Sequence, residues 1–133
     1  MKRAQVEHVL RAAAAITAEN SFFVVGSQAI LLQFPFAPDE LTVSRELDLY
    51  PALHPEKSDL GDVTAICPEV HDLAISKCVA GREKDGDFIR ALFRHRMIAL
   101  DTMIERIATL DASKYPVQHI TQWTQRRAQE ATE

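Results

Sequence analysis

Apolar residues recur at intervals of three and four through residues 4 to 19, where Val6, Val9, Leu10, Ala13 and Ile16 share one helical stripe. With the alanine run from Ala12 to Ala15 they predict a surface helix packed by one face and ended at Glu19-Asn20. The pattern then changes. Ser21 to Val25 is short, aromatic and β-branched, which predicts a buried strand, and Gly26 permits a tight turn into a helix through Ile30 to Gln33. Phe34-Pro35-Phe36-Ala37-Pro38 stops that helix. Thr42 to Pro51 reads as a strand, with Leu47 and Leu49 on one face and Glu46, Asp48 and Tyr50 on the other. Residues 51 to 62 read as a loop or short turn, and Val63 to Cys67 as a candidate third strand.

Helical periodicity returns after Pro68. Pro68-Glu69-Val70-His71-Asp72 has proline near a first turn and acids where the helix dipole favours them. In this helix Leu73, Ile75 and Val79 are expected to pack, with Lys77 facing outward or toward a cleft. Gly81 marks a break, and Asp85 or Asp87 begins a helix containing Phe88, Ile89, Leu92 and Phe93. Asp101 to Leu110 and Tyr115 to Ala131 read as two more helices. This order predicts an α+β fold: a single domain with a helix and small mixed sheet in residues 1–67 and a helical half in residues 68–133.

Composition narrows the partners. The 133 residues are 47% hydrophobic, enough for a core. Fifteen basic against nineteen acidic side chains, net −4, give no global field that recruits nucleic acid or an anionic membrane, so a polyanion has to be bound locally. No apolar run approaches the ~20 residues of a membrane span. Cys67 and Cys78 have neither CxxC spacing nor a disulfide framework, and read as buried reduced thiols of a cytoplasmic protein. The five histidines, at positions 8, 54, 71, 95 and 119, lack zinc-site spacing, and Ser27 and Ser44 have no base at a readable distance.

The chemistry-bearing residues fall in three blocks. Gly26-Ser27 closes a hydrophobic strand and offers backbone N–H groups and a hydroxyl to a phosphate, with Gln28 as a further donor. Glu46 and Asp48, two apart on a strand, point the same way and can hold Mg²⁺ between them. Lys77, followed by Gly81-Arg82-Glu83-Lys84-Asp85, supplies a cation for triphosphate oxygens with an acid nearby. Taken singly, each block has a plain alternative: a solvated strand face, an ordinary strand-to-helix connection, a solvated charged turn. Arg82, Lys84, Arg90, Arg94, His95 and Arg96 form a basic stretch that either guides a nucleic-acid backbone or is balanced by Glu83, Asp85 and Asp87. Trp123, near Arg126 and Arg127, reads as a packing anchor or part of an interface.

Three segments taken together, Phe23 to Ile30, Ser44 to Pro51 and His71 to Asp85, resemble the minimal bacterial nucleotidyltransferase-like proteins related to the AbiEii toxin group. The resemblance spans residues 20 to 95. It implies a mixed sheet of nucleotidyltransferase type and a glycine-serine phosphate loop at Gly26 and Ser27. It places metal acids at Glu46 and Asp48, and a later lysine and acid at Lys77 and Asp85. It also implies Mg²⁺, in a one- or two-metal arrangement, an NTP substrate, an RNA or protein acceptor, and a cognate partner in a toxin–antitoxin pair. The chain departs from the pattern in three ways. Glu46 stands where aspartate is usual, the segment before His71 is short, and Asp59 and Asp62 are the nearest candidates for a third acid. So short a sheet leaves room for completion by a partner chain or a homodimer. The alternatives are a catalytically inactive module of the same fold that binds a partner, and a small structural domain.

Overall fold

The chain begins with helix α1, Arg3–Thr17, which stops where Ala18 turns left-handed at φ 59° and donates its N–H to the Ala14 carbonyl. Val6 and Leu10 bury its inner stripe, but Ile16 is 84% exposed rather than packed. At about 1.5 Å per residue α1 is some 22 Å long. It packs on a helix of a single turn, which cannot cover its last residues. The computed structural model of the protein describes residues 1–43, 47–51 and 63–133.

Among these residues the fold is α+β, with six α-helices and one three-stranded mixed sheet. The central strand β1, Ser21–Val25, pairs antiparallel with β2, Asp48–Pro51, and parallel with β3, Thr64–Ile66. Phe22 and Val24 of β1 are buried, while Phe23 is partly exposed. Gly26 then leads through a 3-10 turn, Ser27–Ala29, into helix α2, Ile30–Gln33. The Gln33 side-chain amide donates to the Pro68 carbonyl, tying the end of α2 to the segment after β3.

The second strand is shorter than the alternation from Thr42 predicts. A 3-10 turn occupies Asp39–Leu41, and Thr42 donates its N–H back to the Asp39 carbonyl. The Thr42 carbonyl accepts from the Gln28 amide at 3.2 Å and from the chain's N-terminal amine at 3.2 Å. Its backbone groups are thereby committed to the turn and cannot join a ladder.

The residues form two compact units, Met1–Pro68 and Glu69–Glu133. The second is helical: α3 Val70–Ala80, α4 Glu83–Arg94, α5 Leu100–Ile107 and α6 Val117–Ala131. Leu73, Ala74, Cys78, Ile89, Leu92, Met103, Ile107 and Ile120 are buried in it. Gly81, at φ 61°, ends α3 and donates its N–H to the Lys77 carbonyl, as its position in the sequence suggests. Helix α4 starts two residues before Asp85, because the Asp85 carboxylate reaches back to accept the Arg82 backbone N–H at 3.1 Å. Within α3, Val79 is 37% exposed and Lys77 is buried, the reverse of the expected packing. The Lys77 ammonium lies 5.8 Å from the centre of the Phe88 ring, so α4 provides an aromatic face for its charge. Arg127 lies 4.9 Å over the ring of half-buried Trp123, one turn away on α6. No helix among the described residues is long and apolar enough to cross a membrane.

Candidate functional site

Strand β1 delivers the chain to Gly26, whose φ of 93° and ψ of 168° lie in a region that only glycine occupies without strain. Ser27 and Gln28 follow at once. Ser27 is 2% exposed and Gln28 fully buried, and among the described residues neither the Ser27 hydroxyl nor the Gln28 amide oxygen has a hydrogen-bond partner. Buried polar atoms are nearly always satisfied, so two orphans on consecutive residues mark this turn out.

The register sets the acid beside it. Val25 pairs with Asp48, and Phe23 with Tyr50. Residues directly opposite in an antiparallel pair share a face, so Phe23, Val25, Asp48 and Tyr50 line one side of the β1–β2 ladder. Asp48 and Tyr50 are exposed there, as the sequence alternation requires. The structure therefore brings Gly26, Ser27 and Asp48 to the same end of the sheet. Glu46, the second acid of the expected pair, lies outside the described residues, as do Ser44, His54, Asp59 and Asp62. No group of three or more His, Cys, Asp or Glu side chains that can hold a metal occurs among the described residues. Asp48 still suits Mg²⁺, which binds through one or two carboxylates and completes its shell with water and phosphate oxygens.

Lys77 and Asp85 belong to the second unit, and each has a local explanation there. Lys77 packs by Phe88. Asp85 is 2% exposed, and its carboxylate takes hydrogen bonds from the Arg82 backbone N–H, from Nε at 2.7 Å and from a terminal guanidinium nitrogen at 3.2 Å. It thereby caps α4. Burial pushes the nearby Cys78 thiol up to about 11, and the Asp85 charge adds to that, against a hydrogen bond with Thr124. The basic stretch is likewise partly answered by acids: Arg90 pairs with Asp87 and Glu130, and Arg82 with Asp85.

No family model, curated protein or solved structure matches this chain.

One polar cluster has no counterpart in the sequence patterns. His71 places Nδ1 2.7 Å from Glu69, and its Nε2 accepts the Ala99 backbone N–H at 3.0 Å, joining the start of α3 to the start of α5. Arg106 on α5 donates to Glu69 and to Asp72. Burial raises the Glu69 carboxyl, but hydrogen bonds from His71 and Arg106 outweigh it and hold Glu69 below the usual range. Glu69 and Arg106 are too far apart in sequence for any helical or strand spacing to signal the pair. Gln28, expected as a further donor to a phosphate, is buried instead and gives its side-chain N–H to the Thr42 carbonyl.

Proposed function

We propose that the first unit binds a Mg²⁺-bound nucleoside triphosphate, and that the protein transfers a nucleotidyl group to an RNA or protein acceptor. The β1–β2 register carries this reading, since it sets the exposed Asp48 opposite the residue that leads into the Gly26-Ser27 turn. Asp48, with Glu46, would hold the metal. Mg²⁺, when bound, supplies charge neutralisation at the phosphates. Gly26, lacking a Cβ, lets the backbone approach a phosphate, and the buried Ser27 hydroxyl, without a hydrogen-bond partner among the described residues, would add a hydrogen bond once the turn opens. The reading rests on the first unit alone, with Lys77 and Asp85 serving the packing and capping of the second.

A second reading, a catalytically inactive module of the same type that binds a cognate partner protein, is favoured by the burial of the Ser27 hydroxyl. A phosphate reaches that hydroxyl only if the turn opens.

Thermal unfolding with each NTP, with and without Mg²⁺, separates the two. A ligand at 100 times its Kd stabilises by about 2.7 kcal/mol, a shift of several degrees for a chain of this size. The nucleotidyltransferase reading expects that shift only with Mg²⁺, and its loss in Asp48→Ala. No shift with any NTP leaves the partner-binding module.

A further inference from the structure

Phe23 and Tyr50 are register partners on adjacent strands, so their side chains rise from the same face with Cβ atoms about 5 Å apart. Tyr50 is 57% exposed and Phe23 40% exposed, whereas Phe22 and Val24, on the opposite face of β1, are almost wholly covered. Ile66 of β3, half-buried, is the partner of Phe23 on the other side and extends the row across all three strands. The next pair on the Phe23–Tyr50 face is Val25–Asp48, two residues along and about 7 Å away.

We infer that Tyr50 is a base-stacking residue: the purine of a nucleotide whose phosphates lie at Asp48 and the Gly26-Ser27 turn rests on its ring, with Phe23 beside it. The inference rests on the nucleotide reading above and adds what would recognise the base. A ribose spans the interval between a phosphate at Asp48 and a base at Tyr50. Size argues for a base over a protein partner. Aromatic side chains present about 150–250 Å² each when fully exposed, so these two rings at their observed exposure offer at most about 250 Å². A stable protein interface needs about 800 Å² per partner, which the pair falls well short of. Stacking on an aromatic face tolerates any base and is stronger for the larger purines, so the site should favour ATP and GTP over CTP and UTP without strict selection.

The test is calorimetric titration of the full chain with Mg²⁺-ATP, Mg²⁺-CTP and Mg²⁺-tripolyphosphate, which has no base. Because stacking on one aromatic side chain is worth roughly tenfold in affinity or more, ATP should bind at least that much tighter than tripolyphosphate. Tyr50→Ala should remove that advantage and leave tripolyphosphate binding unchanged, while Tyr50→Phe keeps it. Equal binding of ATP and tripolyphosphate, or an unchanged ATP affinity in Tyr50→Ala, overturns the stacking role and leaves the nucleotide reading standing. An equal loss for both ligands in Tyr50→Ala assigns Tyr50 to the sheet's structure and also overturns it. A change of oligomeric state in that variant, read by light scattering, overturns it in favour of an interface. If neither ligand binds the unaltered protein, the nucleotide reading itself fails.

Discussion

Asp48 sits directly across the β1–β2 ladder from Val25, the last residue before Gly26. An exposed carboxylate is thus anchored next to a turn whose backbone demands glycine. The consequence for Gly26 is specific. Its backbone lies where a side chain is strained whatever the surrounding space. Gly26→Ala should lower stability by about 1–3 kcal/mol. Urea unfolding measures this, and an unchanged midpoint would mean that the turn relaxes without glycine.

Ser27 opposes stability to function. Its buried hydroxyl has no partner among the described residues, and a buried unsatisfied group costs about 1–3 kcal/mol. Ser27→Ala is therefore expected to leave stability unchanged or raise it by about 1 kcal/mol. The same variant should weaken Mg²⁺-dependent NTP binding. A variant both less stable and normal in nucleotide binding contradicts the assignment on both counts.

Cys78 gives the second unit a pH dependence. Burial first, and the Asp85 charge second, raise its thiol from 9.0 to about 11 in the folded protein. The unfolded chain loses this proton earlier, so it binds fewer protons than the folded chain between those values. Stability from this group is whole below pH 9 and is lost as pH rises through 11, with a total of about 2–3 kcal/mol. Comparing urea midpoints at pH 7.5 and 10.5 for the unaltered protein and Cys78→Ala checks this, since the variant should show the shallower decline. A thiol reagent at pH 8 should label half-buried Cys67 before Cys78.

His71 has its proton assigned by its neighbours. Nε2 accepts the Ala99 N–H and therefore carries no hydrogen, so the neutral ring bears its proton on Nδ1, facing Glu69. Nitrogen shifts in a ¹⁵N-labelled sample should show the Nδ1–H tautomer. Because Ala99 is exposed, water can take its N–H in His71→Ala, and the expected loss is that of one hydrogen bond, about 0.5–1.5 kcal/mol.

Periodicity predicts that α1, β1, α3 and α6 exist, while the buried face of α3 departs from its spacing, with Lys77 covered and Val79 exposed. Gly81 and the break it makes were equally legible, since a left-handed helix end selects glycine locally. Strand β2, Asp48–Pro51, is shorter than its alternation suggests. Alternation from Thr42 onward resembles a strand, but the Thr42 carbonyl is taken by Gln28 and the N-terminus, partners that spacing does not reveal. Ile16 and Val79 lie on apolar stripes and yet are exposed. Whether a stripe is covered depends on the length of the element that meets it.

The candidate site divides along the same line. Gly26-Ser27 and the acid at Asp48 are visible as residue types in order, because turn chemistry and side-chain alternation are local properties of the backbone. Tertiary structure alone decided that Asp48 faces Val25 rather than some other residue of β1, and that Tyr50 meets Phe23. It likewise put Lys77 under Phe88 and Asp85 onto Arg82. Those pairings depend on strand register and helix packing, which are set by how separate segments bury one another's apolar faces and satisfy one another's polar atoms.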